Sequence, residues 1–254
     1  MRRSFCADVD RALHDPWPST PVAESDLAQL PSTIQRYLRA SGAVGHPRVL
    51  NMRARMHGRI RSGVAAPWMP FVAEQYSFFG EPARYFYMKA SRWLVPVHVY
   101  HRYAGTSASM RVKALDLVPV ASASGSEMTK AETVTMFNDC ACSRPLLLSI
   151  PGFTGNPWTR PGRWRPSPMP ATRFVPSSSS TLDELVNFWS HDRRKGEADG
   201  SMRAVPWSTP MRNYRAFGHA RLGSRGLGIW HLRDGPLAYV EIEVDEIAYN
   251  IARR

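Results

Sequence analysis

Alternation of apolar and polar side chains, interrupted by turn residues, is the feature that most constrains how this chain can fold. The alternation begins at Val49 and is broken at Gly63, Pro67, Gly80 and Gly105. Because successive side chains of a strand point to opposite faces, this period is typical of half-buried β-strands. Strands are predicted at 49–61, 68–79, 84–90, 95–103 and 108–115. Their short connections favour antiparallel neighbours, since parallel strands need long crossovers.

The same alternation returns in the last third of the chain. Strands are predicted there at 185–191, 214–222, 227–233 and 237–250. In the last of these, one parity holds Tyr239, Glu241, Glu243 and Asp245, and the other holds Val240, Ile242, Val244 and Glu246. This pattern predicts a strand with one polar and one apolar face.

Helical patterns precede and follow the first group of strands. One short helix is predicted at 5–13, and a second begins near Pro31, since proline suits the first helical turn. A third is predicted at 125–139, where Ser124 and Glu127 have the spacing of a capping box. The predicted fold class is therefore α+β, with one highly curved, half-barrel-like antiparallel sheet and these helices packed on it.

One segment, 140–182, departs from the pattern of its surroundings. It contains eight prolines and no acidic residue. A structureless stretch of this length is unusual inside a compact domain. Two interpretations stay open: a proline-rich linker or surface loop, and a compensated frameshift in a GC-rich gene. We therefore predict an N-terminal helical extension at 1–25 and a single β-rich domain at 26–254, interrupted by an irregular 140–182 segment.

The formal charge of +12 raises the question of a nucleic-acid partner. Of the 33 basic residues, 29 are arginine, and they are spread along the chain rather than gathered in one patch. The densest group is Arg53, Arg55, Arg59 and Arg61, which shares one parity of a predicted strand. A solvated strand face is the favoured interpretation, so no specific nucleic-acid partner is predicted.

Membrane spans, secretion signals and cofactor motifs are not recognised in the sequence. No run approaches the roughly 18 apolar residues of a spanning helix, and residues 1–10 have no apolar core of a signal peptide. A cytoplasmic location is therefore expected. Cys6, Cys140 and Cys142 are expected to be reduced thiols, since their spacing suits neither a disulfide framework nor zinc. No phosphate loop or dinucleotide fingerprint occurs, so no cofactor and no metal are predicted.

Polar side chains that interrupt apolar strands are the candidate site residues. The ligand-binding candidates are Gln75, His101, Arg102, Tyr103, Asp192 and Arg193. A polar anchor inside an apolar cleft is the usual make-up of a small-ligand pocket. At least two of Gln75, His101 and Arg102 are predicted to point into one concavity. The alternative is structural, with Glu74 or Asp192 in an ion pair with an arginine such as Arg102 or Arg193.

The order of several short motifs resembles a bacterial family of uncharacterised proteins, a domain of unknown function. The motifs are Leu30-Pro31 with Arg36-Tyr37-Leu38, Pro67 to Phe71 with Ala73-Glu74-Gln75, His101-Arg102-Tyr103, Asp192-Arg193, Pro206-Trp207, Tyr214-Arg215 and Tyr249-Asn250. The resemblance covers about 26–139 and 183–251, and the chain departs from it across 140–182. The strand-rich layout is also similar to the half-barrels of lipoprotein carriers, which enclose an acyl chain.

Three functions are weighed on these observations. The leading hypothesis is non-catalytic binding of a hydrophobic or amphipathic small molecule, such as a lipid, on the concave face of the sheet. The second is an enzyme that uses Glu74, His101 or Asp192 as a base, and the third is a structural or partner-binding protein. The resemblance implies no established activity, and the oligomeric state is left open.

Overall fold

The computed structural model describes residues 1–14, 20–28, 30, 32–143, 173–176, 184–197 and 199–254. The helices are α1 (Arg2–Ala12), α2 (Glu24–Leu27), α3 (Ser32–Ala40) and α4 (Ser126–Ser143). The first strands are β1 (Asn51–Ile60), β2 (Met69–Phe78), β3 (Ala83–Arg92), β4 (Val95–Ala104), β5 (Ser107–Ala114) and β6 (Val118–Ser124). The later strands are β7 (Arg173–Pro176), β8 (Leu185–Ser190), β9 (Arg194–Gly196), β10 (Met202–Ala204), β11 (Trp207–Ser208), β12 (Met211–Phe217), β13 (Ala220–Leu232) and β14 (Gly235–Tyr249).

Twelve of these strands form one sheet with the order β6-β5-β4-β3-β2-β1-β14-β13-β11-β8-β7, and β12 pairs with β13 off this path. All the pairings in it are antiparallel. The pairing of β1 with β14 joins the N-terminal meander to the C-terminal strands. Strands β9 and β10 form a separate hairpin.

Helix α4 defines the concave face of this sheet. It contacts both β5 and β8, which lie near opposite ends of the strand order, so the sheet curves around the helix. Part of the concave face is apolar and includes Met56, Phe71, Met88 and Val99. The predicted fold class, a curved antiparallel sheet with helices packed on it, is therefore confirmed.

Helix α1 covers the opposite, convex face. Its Phe5 ring is fully buried and lies with its centroid 5.9 Å from Tyr76, 5.5 Å from Tyr87 and 5.9 Å from Tyr100. These tyrosines come from β2, β3 and β4, so one side chain of the helix contacts three neighbouring strands. Full burial of such a side chain contributes about 1.5–3 kcal/mol. No helix among the described residues is long and apolar enough to cross a membrane.

The predicted strands up to residue 115 are observed within two residues of their expected ends. The prediction of one strand at 214–222 is wrong, because β12 ends at Phe217 and β13 begins at Ala220. Gly218 has a φ of +60° and makes the turn between them, a conformation that glycine adopts without steric cost. The predicted strand 227–233 is the second half of the long β13. Strands β6, β9, β10 and β11 and helix α2 were not predicted.

Two β-bulges in β14 correct the predicted division of its faces. Val240 pairs with Gly228 and Ala238 with Ile229, so Tyr239 is an extra residue and packs against Trp230, 5.4 Å between ring centroids. Asp245 is a second extra residue, and it exchanges the faces to which the later side chains of β14 point. Glu246 consequently joins Arg53 in an ion pair on the polar face, instead of the apolar face on which strict alternation would place it.

The predicted irregular segment 140–182 lies mostly outside the described residues. Its first four residues complete helix α4, which therefore ends four residues later than predicted. Residues 173–176 form β7, which pairs with β8 at the end of the strand order among the described residues. The strands before and after the segment share one sheet, as predicted.

Candidate functional site

A cluster of charged side chains lies between α4 and the concave face of the sheet. We call it the Glu132 cluster; it consists of Gln75, Arg84, His101, Glu132, Asp139 and Arg193. Gln75 and His101 lie opposite the same residue of β3, Phe86, so all three side chains point to one face. Glu132 and Asp139 are seven residues apart on α4, which places them on the same side of the helix.

Arg84 is the centre of the cluster, and its side chain is buried. Its Nη1 donates to Glu132 Oε2 at 3.0 Å, its Nε to Asp139 Oδ2 at 2.6 Å, and its Nη2 to Gln75 Oε1 at 2.9 Å. Gln75 Nε2 in turn donates to Asp139 Oδ2 at 2.9 Å. Charge-assisted bonds of this kind are the strong ones in a protein interior. They hold α4 against the sheet.

Glu132 is fully buried. His101 Nδ1 lies 2.9 Å from its Oε1, and an Arg193 nitrogen lies 4.0 Å from the same oxygen. Burial alone would raise the pKa of Glu132, but His101, Arg84 and Arg193 favour the charged form and together hold the pKa well below its usual range. The carboxyl group is therefore ionised at neutral pH.

Arg193 approaches the cluster from the connection between β8 and β9. Its guanidinium carbon lies 5.6 Å from the ring centre of Trp207 and 5.9 Å from that of Trp230. The side chain is 12% exposed, and its Nε has no hydrogen-bond partner within the part of the chain that the structure describes. Arg193 therefore combines a nearly buried charge with a free donor, which is the arrangement an anionic group can complete.

The charges of the cluster balance when His101 is neutral, because two guanidinium groups face two carboxylates. Protonation of His101 would leave one net positive charge. No group of His, Cys, Asp and Glu side chains suited to a metal ion occurs among the described residues. An anion beside a protonated His101 would restore the charge balance.

Apolar side chains extend from the Glu132 cluster along the same face. Gln75 and His101 lie in one row across the strands. Two residues further along each strand, Ala73, Met88 and Val99 lie side by side on the same face. Two residues further again, the same face carries Phe71, Ala90 and Val97. We call these six residues the apolar lane. The lane runs towards the end of the sheet where the β1–β2, β3–β4 and β5–β6 connections lie. The concave face is thus amphipathic along the strands, charged at one end and apolar at the other.

Some of the predicted site residues join this cluster, and others do not. Gln75, His101 and Arg193 belong to it. Tyr103 is buried on the same face, where Thr133 Oγ1 lies 3.4 Å from its hydroxyl. Asp192 is half-buried beside the site, and burial raises the pKa of its carboxyl.

Two of the predicted residues lie on the convex face. Arg102 is 3.6 Å from Asp8 of α1, so the expectation that it lines the concave site is wrong. Glu74 forms an ion pair with arginine, as the structural alternative expected, but its partners are Arg2 at 2.6 Å and Arg55 at 3.8 Å and not Arg102 or Arg193. The reason is strand parity, since Glu74 and Arg102 are each one position away from an inward-facing neighbour.

Arg84, Glu132 and Asp139 were not recognised in the sequence. The available signal is in α4, where Glu132 stands among the buried residues Ala131, Thr133 and Val134. An acidic residue inside a helix that is buried on most sides requires a buried cationic partner. The position of that partner depends on how α4 crosses the sheet.

The fold and the cluster together define the class: this is an α+β protein built on a large curved antiparallel sheet, with a helix and buried charges on the concave face of that sheet. A family profile matches residues 20–149 and 178–242, so the chain belongs to a family of unknown function, DUF6544. The match is interrupted inside the 140–182 segment. No protein of curated function matches this chain.

Two solved structures are similar in overall outline. One is a candidate outer membrane lipoprotein-sorting protein domain from Vibrio parahaemolyticus, with 6% identity, a TM-score of 0.39 and coverage of 80% of this chain and 87% of that chain. The other is a LolA superfamily protein from Nitrosomonas europaea, with 8% identity, a TM-score of 0.38 and coverage of 90% and 93%. At these values no ligand or activity is carried over from them.

Proposed function

We propose that this protein binds an amphipathic small molecule, such as a lipid, on the concave face of its sheet without catalysing a reaction. The observation that carries the proposal is the continuity of the apolar lane with the Glu132 cluster on one face. Ala73, Met88 and Val99 are buried in this structure, so a bound apolar chain would reach them where neighbouring side chains move aside. The gain, about 25 cal/mol per Å², would come from the apolar surface of the ligand that leaves water. The polar end of the ligand would then reach the cluster.

Arg193 and His101 are proposed to contact the head group, which we infer to be anionic. The Nε of Arg193 is nearly buried and has no partner among the described residues, so a carboxylate or phosphate oxygen would satisfy it. Arg84 is excluded from this role because its three nitrogens already donate to Glu132, Asp139 and Gln75. The cluster therefore has a part that fixes α4 and a part that can meet a ligand.

The enzyme hypothesis uses Glu74, His101 or Asp192 as a base in the concave cleft, and Asp192 is half-buried beside the Glu132 cluster. Glu74 lies under α1 on the convex face, whereas His101 lies on the concave face against Glu132. No observation favours a particular reaction, so binding is the function we propose.

We also propose that the protein is cytoplasmic. Subcellular fractionation of the native host tests this location.

Titration with a dansyl-labelled fatty acid tests this proposal. Val97→Glu places a charge in the apolar lane and should abolish the fluorescence increase, whereas Val72→Glu, the same change at an exposed convex position, should leave it intact. Equal binding by both variants, or no binding by the unaltered protein, would overturn the proposal.

The head-group assignment has a separate test. Arg193→Gln should weaken binding of the labelled acid by about tenfold or more, the value of one charge-assisted hydrogen bond. Binding of the corresponding labelled alcohol should stay unchanged, because it offers no anion. A parallel loss for both ligands would contradict the assignment and indicate a structural role for Arg193.

A further inference from the structure

The connections at one end of the sheet carry exposed apolar side chains. Trp93 is 85% exposed and Leu94 is 98% exposed at the β3–β4 turn. Leu115 and Leu117, in the β5–β6 connection, and Val118, which follows it, are also exposed. We call these five residues the hairpin-tip patch. The Leu115 amide donates to the Pro96 carbonyl at 2.8 Å, so the two connections lie side by side.

The backbone at these tips is poorly suited to the residues it carries. Trp93 and Leu94 have φ values of 50° and 66°, and Leu115 has a φ of 55°. A two-residue hairpin turn of this kind favours Asn-Gly, because side chains larger than Asn are strained in the left-handed region. Local folding therefore gains nothing from Trp and Leu here. The geometry of the turn does not account for their size and apolar character.

The charge around the hairpin-tip patch is positive. Arg92 directly precedes Trp93, and Lys89 and Lys113 lie a few residues from the tips; none of the three forms an ion pair among the described residues. The one acidic residue of these tips, Asp116, is paired with the N-terminal ammonium group at 2.8 Å. Lys113 also acts on the Asp116 carboxyl, whose pKa is lowered chiefly by its hydrogen bond to the N-terminal ammonium group. Apolar tips with cations beside them are complementary to an anionic lipid surface.

We propose that the hairpin-tip patch docks on a bilayer that contains anionic phospholipids. Trp93 would lie at the level of the head groups, the usual position of tryptophan in membrane proteins, and the leucines would enter the acyl region. Arg92, Lys89 and Lys113 would face phosphate groups. If the proposed function holds, the apolar lane reaches this same end through Phe71 and Val97, so docking would place it beside the lipid.

Cosedimentation with vesicles tests this docking. The whole protein should bind vesicles of equal parts phosphatidylcholine and phosphatidylglycerol and bind pure phosphatidylcholine weakly. Trp93→Asn combined with Leu94→Gly supplies the residues that the turn prefers, so this variant should fold at least as well as the unaltered protein. Its partitioning onto the anionic vesicles should fall by about tenfold or more.

Two further variants serve as controls. Val72→Asn removes an exposed apolar side chain from the sheet face and should keep vesicle binding. Lys89→Gln with Lys113→Gln should lower binding to anionic vesicles by about fivefold for each charge removed. Undiminished vesicle binding by the Trp93→Asn, Leu94→Gly double variant (the Asn-Gly variant), or no vesicle binding by the unaltered protein, would overturn the proposal.

Sedimentation without lipid separates docking from self-association. If the unaltered protein is a dimer that the Asn-Gly variant converts to a monomer, the patch joins two copies of this chain and the membrane proposal is wrong. The Asn-Gly variant should still bind the dansyl-labelled fatty acid, and Val97→Glu should still bind vesicles. Failure of the ligand proposal and failure of the docking proposal are therefore distinguishable.

Discussion

Replacement of Glu132 by glutamine is the change that most directly perturbs the buried charges. The side chain keeps its size but loses its charge, and the group it leaves is fully buried. Arg84 Nη1, now 3.0 Å from a carboxylate oxygen, would face a neutral amide, and His101, at 2.9 Å, would lose its anionic partner. Asp139 would then be the remaining carboxylate beside Arg84, and Arg193 would lose the carboxylate oxygen that lies 4.0 Å from it.

The expected cost follows from the burial of the partners. Removing one member of a buried ion pair destabilises a protein by about 3–5 kcal/mol, because the remaining charge stays desolvated. For a chain of this size each kcal/mol lowers the melting temperature by about 2–4 °C. Glu132→Gln should therefore lower the melting temperature by about 6–20 °C.

Differential scanning calorimetry measures this change, and Glu127→Gln is the matched control. Glu127 lies on the same helix, but its carboxylate is 38% exposed and pairs with Lys130 and Arg194 near the surface. Surface ion pairs contribute about 0–1 kcal/mol, so the control should shift the melting temperature by no more than about 4 °C. Equal shifts for the two variants would refute the argument that burial sets the cost.

Four further outcomes are expected. Because the pKa of Glu132 is lowered in the folded state, the ionised carboxyl stabilises the fold fully above the unfolded pKa of about 4.3, and this stabilisation is lost as pH falls. The difference in unfolding free energy between the unaltered protein and Glu132→Gln should therefore narrow in acid. A constant difference in urea unfolding at several pH values would contradict this. Phe5→Ala should cost about 3–5 kcal/mol by the same method, while the exposed Arg3→Ala should cost less than about 0.5 kcal/mol. Binding to duplex DNA should be weak and should vanish with salt, so submicromolar binding at physiological salt would show that the positive charge is functional. Resequencing the gene across 140–182 decides between a native loop and a frameshift, and a restored frame should raise solubility and melting temperature if the frameshift interpretation is correct.

Much of the sheet could be predicted because strand alternation is a local property. Gly63, Pro67 and Gly105 mark turns, and the side chains between them show which face is buried. The bulges at Tyr239 and Asp245 could not be predicted in this way. A bulge depends on the register between two paired strands, and nothing within β14 alone indicates where it carries an extra residue relative to its partners.

The candidate site was half predictable for a similar reason. Gln75 and His101 interrupt apolar runs, and strand parity places both on one face. Arg84 follows the turn at Pro82 and has the appearance of an ordinary strand end in the sequence. Its role is set by Glu132 and Asp139, which reach it only because α4 lies across the concave face. Contacts between distant elements of this kind follow from the packing of the whole fold.

Native mass spectrometry of the protein purified from its own host tests the central claim most directly. We expect the unaltered protein and Val72→Glu to carry an adduct with the mass of an anionic amphipathic molecule, and we expect Val97→Glu to lack it. An unaltered protein that is free of adduct, or an adduct retained by Val97→Glu, would contradict the claim that the concave face binds such a ligand.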